Sequence, residues 1–192
     1  IIFKFTLTVY AVDKTIVKEN ENITVAKTVV SADDQKKLDN LPVEIKAKTA
    51  ILMEVSSGKV LMECNPDKKL YPASVTKIMT MLLVAEAISN KKIALTDKVS
   101  CSANAASKGG SQIWLEPGEV MTVHDLLKAC VVYSANDACC LLGEVISGDE
   151  NAFCELMNKK ALELGMNNTN FDNCTGLDDD TDTHKTTAYD IA

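Results

Sequence analysis

Two clusters in this chain have residue types and spacing that chemistry can use. In Tyr71–Thr80, YPASVTKIMT, Ser74 is followed three positions later by Lys77. A serine hydroxyl is a poor nucleophile until a base takes its proton. Lysine can be that base only where desolvation or a nearby cation keeps its amine neutral for part of the time. On a helix, positions i and i+3 share a face, so the two side chains can touch. A serine in the first turn also feels the positive end of the helix dipole, which favours an alkoxide or oxyanion. Ile78, Met79, Met81 and Leu82 follow directly and would wall Lys77 off from water. The competing reading is a plain helix start, with Ser74 as a cap and Lys77 in solvent.

The second cluster is Ser134-Ala135-Asn136, at a break between two apolar helical patterns. On a buried inter-helix loop, such a serine and asparagine offer a hydroxyl and an amide to a nearby lysine. Each motif has a second copy. Ser56–Lys59 falls in a hairpin turn, where water keeps the lysine charged. Ser102-Ala103-Asn104 lies in the polar stretch CSANAASKGGS and is read as loop.

The elements that must hold these groups follow from pattern. TAILMEV and KVLMEC flank Ser56-Ser57-Gly58 and predict a β-hairpin. From Ser74 to Ser89, Ile78, Met81, Leu82, Ala85 and Ile88 recur at helical spacing, with Asn90 as a stop. Thr96–Val99 reads as a short extended piece, and Pro117-Gly118 as a turn. Thr122 caps the helix VHDLLKACVVY, and DACCLLGEVI forms the next. Asn151 or a neighbour opens AFCELMNKKALELG, which Gly165 ends. Asn167–Thr183 is loop-like, and Thr187–Ala192 starts another helix. A hairpin followed by a block of helices is a mixed α/β (α+β) class. A lone hairpin is marginal in water, so it packs on the helices or pairs with strands beyond Ala192.

Length and composition fit one soluble domain: 192 residues, 46% hydrophobic and 24% charged. A net charge of −7 argues against nucleic acid as a partner. The opening IIFKFTLTVYA reads as a signal-peptide remnant over residues 1–11, with Val9 and Ala11 as the small residues before a cleavage site; an edge strand is the alternative. Residues 12–46 are a polar extension or linker, with a short helix expected at Ser31–Leu38. The seven cysteines include no CxxC pair, so no zinc pattern arises. Cys130, Cys139 and Cys140 lie in apolar runs, where a free thiol packs as a small hydrophobe. Free thiols in an exported protein would suit a reducing habitat.

PASVTK, GSQIWLEPGE, TVHDLLKACVVYSANDA, MNKKALELGMNNTNF, TGLD and TAYDIA, in that order, resemble the low-molecular-weight penicillin-binding proteins, which are serine D-Ala-D-Ala carboxypeptidases. The resemblance covers residues 47–192. It implies a β-lactamase/DD-peptidase-like fold in which Ser74 attacks the carbonyl between the terminal D-alanines of a peptidoglycan stem peptide. Lys77 then accepts the serine proton, Ser134 relays it to the leaving nitrogen, and Asn136 holds Lys77 and the substrate amide. It implies acylation of Ser74 by β-lactam antibiotics, no cofactor, no metal, and location at the outer face of the plasma membrane. Membrane contact is expected only through a carboxy-terminal anchor not present in this sequence. The family's Lys-Thr/Ser-Gly strand is not found: Lys185-Thr186-Thr187 and Lys108-Gly109-Gly110-Ser111 only imitate it. The sequence is therefore expected to be the amino-terminal part of a peptidase domain, with little activity alone. Release of D-alanine from diacetyl-Lys-D-Ala-D-Ala by these 192 residues would contradict that.

Other features are weaker. Glu163 and Asn167 imitate the deacylating loop of class A β-lactamases, which keeps such a β-lactamase as an alternative; an idle peptidoglycan- or β-lactam-binding module is another. Asp178–Asp182 suggests calcium, but an EF-hand loop starting there needs Gly and Glu where Thr183 and Tyr189 stand. His124 is expected at the surface, His184 as a loop tie and Trp114 in packing.

Overall fold

Pairing of apolar strands around a turn starts the fold. The computed structural model describes residues 47–177 and 182–192. The expectations for residues 1–46, and for Asp178–Thr181 of the acidic run, lie outside the described residues. Strands β1 (Ala50–Met53) and β2 (Val60–Cys64) form the antiparallel hairpin, with Ala50 opposite Cys64 and an irregularity between Leu52 and Met53. The turn is built on Glu54, whose carboxylate accepts from the backbone N–H of Ser56 at 3.0 Å and of Ser57 at 2.7 Å. The Ser57 hydroxyl, followed by the other donors, holds Glu54 down at about 2. Ser56 Oγ donates to the same carboxylate at 2.8 Å, so the first decoy serine is a turn residue. Strands β3 (Lys98–Ser100) and β4 (Val120–Thr122) pair antiparallel, with Lys98 opposite Thr122.

The helical block is α1 (Lys77–Ser89), entered through a 3-10 turn at Ala73–Thr76, then α2 (Ala103–Ala106), α3 (Val123–Lys128), α4 (Asn136–Ser147), α5 (Glu150–Glu163) and α6 (Ala188–Ile191). Helix α4 is the hub. Its residues Ala138, Cys139, Cys140 and Leu142 are fully enclosed, and it packs on α1, α2, α3 and α5. Burying side chains such as Leu142, Phe153 and Met157 contributes about 1.5–3 kcal/mol each.

Two expectations needed correction. The buried face of α1 is not the Ile78–Leu82–Ala85 stripe: Ile78 is 54% exposed. The inward face carries Lys77, Met79, Thr80, Leu83, Val84 and Ala87. This helix is apolar on most of its circumference, so spacing alone does not choose the face; bonds from Lys77 and Thr80 to the chain packed against it do. Ser102-Ala103-Asn104 is not loop. Ser102 Oγ accepts from Ala105 N–H at 2.9 Å and caps α2. The helix from Val123 breaks where expected, at Ser134–Ala135, but not as a plain α-helix. It widens into a π turn at Ala129–Tyr133, and the N–H groups of Ser134 and Ala135 both turn back to Ala129 O.

The remaining ends match their local chemistry. Thr122 Oγ1 accepts from Asp125 N–H at 3.1 Å. Asp149, two residues before Asn151, caps α5 through Ala152 N–H at 2.8 Å. Thr187 caps α6.

Candidate active site

Ser74 stands exposed on the 3-10 turn, while Lys77, one turn on, is 2% exposed. Neither the 3-10 turn nor α1 has a side-chain cap, so the plain capped-helix reading of Ser74 does not hold. Lys77 Nζ lies 3.1 Å from Ser74 Oγ and donates to Thr175 O at 2.8 Å. Burial pushes the Lys77 amine below its ordinary value. A partly neutral amine against a solvent-facing hydroxyl is the pair that general-base activation of serine requires.

The strap Asp172–Leu177 holds this geometry. The inward face of α1 bonds to it or beside it at successive positions. Lys77 reaches Thr175 O, Thr80 Oγ1 donates to Cys174 O at 2.7 Å, and Thr76 Oγ1 lies 2.9 Å from His184 Nε2. His184 Nδ1 accepts from Asp172 N–H at 2.9 Å, which leaves the Nε2 proton for Thr76. His184 is thus a buried tie between the strap and the start of α1, as expected of a loop anchor. Within the strap, Asn173 Oδ1 accepts from Thr175 N–H at 3.1 Å and Gly176 N–H at 2.7 Å, folding the chain back on itself. Gly176 has φ +79°, and a Cβ there would meet Ala73 O at 1.7 Å. Ala73 itself has φ +46°, so the residue before Ser74 is strained and is wedged by the strap. None of Asn173, Thr175 or Gly176 was singled out by spacing. The signal available was the Asn-x-Thr-Gly cluster inside an otherwise polar loop.

Ser134 sits half-buried in the left-handed conformation, φ +58°, at the π turn's end. Asn136 opens α4. Its backbone N–H donates to Ser111 O at 2.7 Å and its Nδ2 to Gly109 O at 2.7 Å. Its Oδ1 is buried without a hydrogen-bond partner among the described residues. The structure does not bring Asn136 or Ser134 to a hydrogen bond with Lys77, whose bonds go to Ser74 and Thr175.

Asp137, beside Asn136, is fully buried. Its carboxylate accepts from Ile113 N–H at 3.1 Å, Leu115 N–H at 3.1 Å and Ala138 N–H at 2.9 Å, tying the 113–115 loop to α4. That loop carries Trp114, which is 68% exposed with φ +58° rather than packed. Asp137→Asn turns an amide toward backbone donors and is expected to cost about 2 kcal/mol, measured as a lowered urea midpoint at unchanged slope.

The decoys fall elsewhere. Thr186 bridges to Leu70 in a short β contact, and its hydroxyl meets Thr169 Oγ1 at 2.7 Å; Lys185 Nζ pairs with Asp182 at 2.6 Å. Glu163 pairs with Lys160 at 2.9 Å, and Lys160 also pairs with Glu86 at 3.1 Å. Glu86 stands twelve positions beyond Ser74, about 18 Å along a helix axis, so Glu163 is not poised over the serine. His124 is at the surface, its side chain 51% exposed. Cys140, Glu150 and Cys174 offer one group of metal-ligating atoms within 4.8 Å of one another, but the Lys108 ammonium already sits 2.5 Å from Glu150.

The arrangement of strands and helices is that of the penicillin-binding D-Ala-D-Ala peptidase fold. The structure matches that of the D-alanyl-D-alanine carboxypeptidase DacD from Francisella tularensis with a TM-score of 0.75 and 38% identity, over 79% of this chain and 36% of that one. Penicillin-binding protein D2 from Listeria monocytogenes, in its ampicillin-bound form, matches with a TM-score of 0.67 and 32% identity, over 76% of this chain and 58% of that one. In sequence, D-alanyl-D-alanine carboxypeptidase DacF of Bacillus subtilis is 49% identical over 170 residues, 88% of this chain and 43% of that protein. The profile of the D-alanyl-D-alanine carboxypeptidase family matches residues 34–192, and the chain belongs to that family. It spans less than half the length of the curated relatives it matches.

Proposed function

We propose that the protein is a serine D-Ala-D-Ala carboxypeptidase that removes the terminal D-alanine from peptidoglycan stem peptides, with residues 47–192 forming part of its peptidase domain. The observation that carries this is the desolvated Lys77 amine 3.1 Å from an exposed Ser74 hydroxyl. Neutral Lys77 takes the Ser74 proton as Oγ attacks the carbonyl carbon of the penultimate D-alanine. The oxyanion forms beside the backbone N–H of Ser74, in the first turn of the helix it leads. As the C–N bond breaks, the proton held by Lys77 is delivered to the leaving D-alanine nitrogen. The family resemblance gives the relay to the Ser134 hydroxyl, which makes no bond to Lys77 here and would have to reach it with substrate bound. Water then hydrolyses the ester and frees Ser74. The unpartnered Asn136 Oδ1 is an acceptor for an N–H of the bound substrate. β-Lactams acylate the same Ser74 in place of the peptide; the ampicillin-bound relative supports this.

On this reading the protein is exported, works on the cell wall outside the cytoplasmic membrane, and contributes to peptidoglycan processing and cell shape. Among the described residues no helix is long and apolar enough to cross a membrane. Membrane contact would run through a carboxy-terminal anchor outside this sequence.

Fluorescent penicillin should label the full-length protein covalently, and Ser74→Ala should abolish labelling without lowering the melting temperature. Labelling that persists in Ser74→Ala would refute the assignment. A folded wild type that binds wall peptide but never acylates would make it an idle binding module.

A further inference from the structure

We propose that Cys130 and Cys139 form a reversible disulfide, closed by thiol–disulfide exchange with a small-molecule disulfide, which staples the loop carrying Ser134 and Asn136. The two sulfurs lie 2.8 Å apart, with Cys139 Sγ–H donating to Cys130 Sγ, and the residues are nine positions apart in sequence. Non-bonded heavy atoms rest at roughly 3.5–4.0 Å, and a disulfide bond is about 2.05 Å long. The pair is therefore well inside an ordinary packing contact and about midway to a covalent bond. Cys139 and Cys140 point apart as helical neighbours must: Cys140 Sγ faces Asn104 at 3.3 Å and Glu150 at 3.6 Å. The choice of Cys139 over Cys140 is thus made by the fold.

The placement of the ring gives it a role. Cys130 belongs to the π turn and Cys139 to the first turn of α4. The ring encloses the left-handed Ser134, the α4 start at Asn136 and the carboxylate of Asp137. In the reduced state, backbone bonds to Ala129 O and Ser111 O hold this segment. A disulfide would add a covalent tie at its base.

Exchange balances as follows. One cysteine thiolate attacks the small disulfide R–S–S–R, expelling R–S⁻. The second cysteine thiolate attacks the resulting mixed disulfide, expelling the other R–S⁻. The two protons given up by Cys130 and Cys139 end on the two R–SH products, and the two electrons reduce the original S–S bond. Both thiols are enclosed in the folded chain, and the Cys139 hydrogen bond with burial holds the Cys130 thiol far above its usual range. Exchange therefore proceeds while the segment is open. The π turn's outer residues Val131, Val132 and Tyr133 are exposed, so opening this segment uncovers little buried apolar surface of theirs.

The test removes the access barrier. Full-length reduced, unfolded protein is refolded in a buffer of reduced and oxidised glutathione, alkylated, and cut with chymotrypsin after Tyr133, which separates Cys130 from Cys139. The expected result is two fewer free thiols than in protein refolded with dithiothreitol, and a Cys130 peptide joined to the Cys139–Cys140 peptide until reduction. Fragmentation of the joined peptide should place the bond on Cys139 in the wild type, so the assignment does not depend on any variant folding. Cys140→Ala should keep the link, and Cys130→Ala should lose it. All thiols free, a glutathione adduct left on either cysteine, or a link to Cys140 or Cys174 would each overturn the proposal.

Discussion

Lys77→Arg is expected to lower the rate of Ser74 acylation by labelled penicillin by about three orders of magnitude, as is Lys77→Met. General-base assistance is worth roughly 10²–10⁴ in rate, and both replacements remove it. Methionine has no amine, and arginine stays protonated throughout the accessible range. The arginine variant keeps the positive charge, so it separates proton transfer from mere attraction of an anionic substrate. The wild-type pH profile carries the same signature. Burial holds the folded pKa of Lys77 below the ordinary lysine value, and only the neutral amine acts as base. Acylation should rise tenfold per pH unit on the acid side of that depressed pKa and level off above it. Both variants should be flat.

Stability responds to the same group with a definite sign. The folded pKa is lowered, so between it and the unfolded value the unfolded chain holds a proton that the folded chain lacks. Folding stability therefore rises with pH across that window. The cost of burying Lys77 is full below the folded pKa and gone above the ordinary lysine value. Stopped-flow labelling between pH 5 and 10, beside urea melts at the same pH values, reads both. A Lys77→Arg protein that acylates at a near wild-type rate would remove Lys77 from the base role.

Gly176→Ala is expected to destabilise the fold by about 3 kcal/mol. Two terms add. An L-residue in the left-handed region costs roughly 1–2 kcal/mol, and overpacking a closed site costs roughly 1–3 kcal/mol more. The new methyl would meet the Ala73 carbonyl oxygen at 1.7 Å, and backbone cannot step aside as a flexible side chain can. For a domain of this size the melting temperature should fall by about 6–12 °C. Function should fall further than stability, because relief of the clash pushes on Ala73, the neighbour of Ser74, and on Thr175, whose carbonyl anchors Lys77 at 2.8 Å. Penicillin labelling at 10 °C, well below the melt, should be at least tenfold slower in Gly176→Ala. Gly58→Ala offers a control. Its added Cβ meets nothing within 4 Å, although φ is +67°, so it should show only the conformational cost and unchanged labelling.

Much of the frame was legible because local chemistry wrote it. The hairpin followed from two apolar runs around Ser-Ser-Gly, and Thr122 and Gly165 marked helix ends by capping chemistry alone. The Ser74–Lys77 pair was legible because three residues of helix bring two side chains onto one face whatever else the chain does. The chain order of PASVTK, SANDA and TGLD carried the family. The choice of buried face on α1 was not legible, because its apolar residues surround the helix. Nor was the role of Ser102, which needed the packed neighbours of α2 to turn a polar stretch into a capped helix.

By itself, then, the sequence determined which residues could react, the elements they sit on and the family they belong to, since these depend on side-chain type and short-range spacing. Only the tertiary structure decided that Lys77 faces inward and meets the Thr175 carbonyl, nearly a hundred residues away. It also decided that Gly176 wedges Ala73 and that Cys139, not Cys140, meets Cys130. Those outcomes depend on which face of each helix is pressed against which loop. That is settled by the joint packing of distant segments, where close fit and satisfied buried polar groups select one arrangement among several that local patterns allow equally.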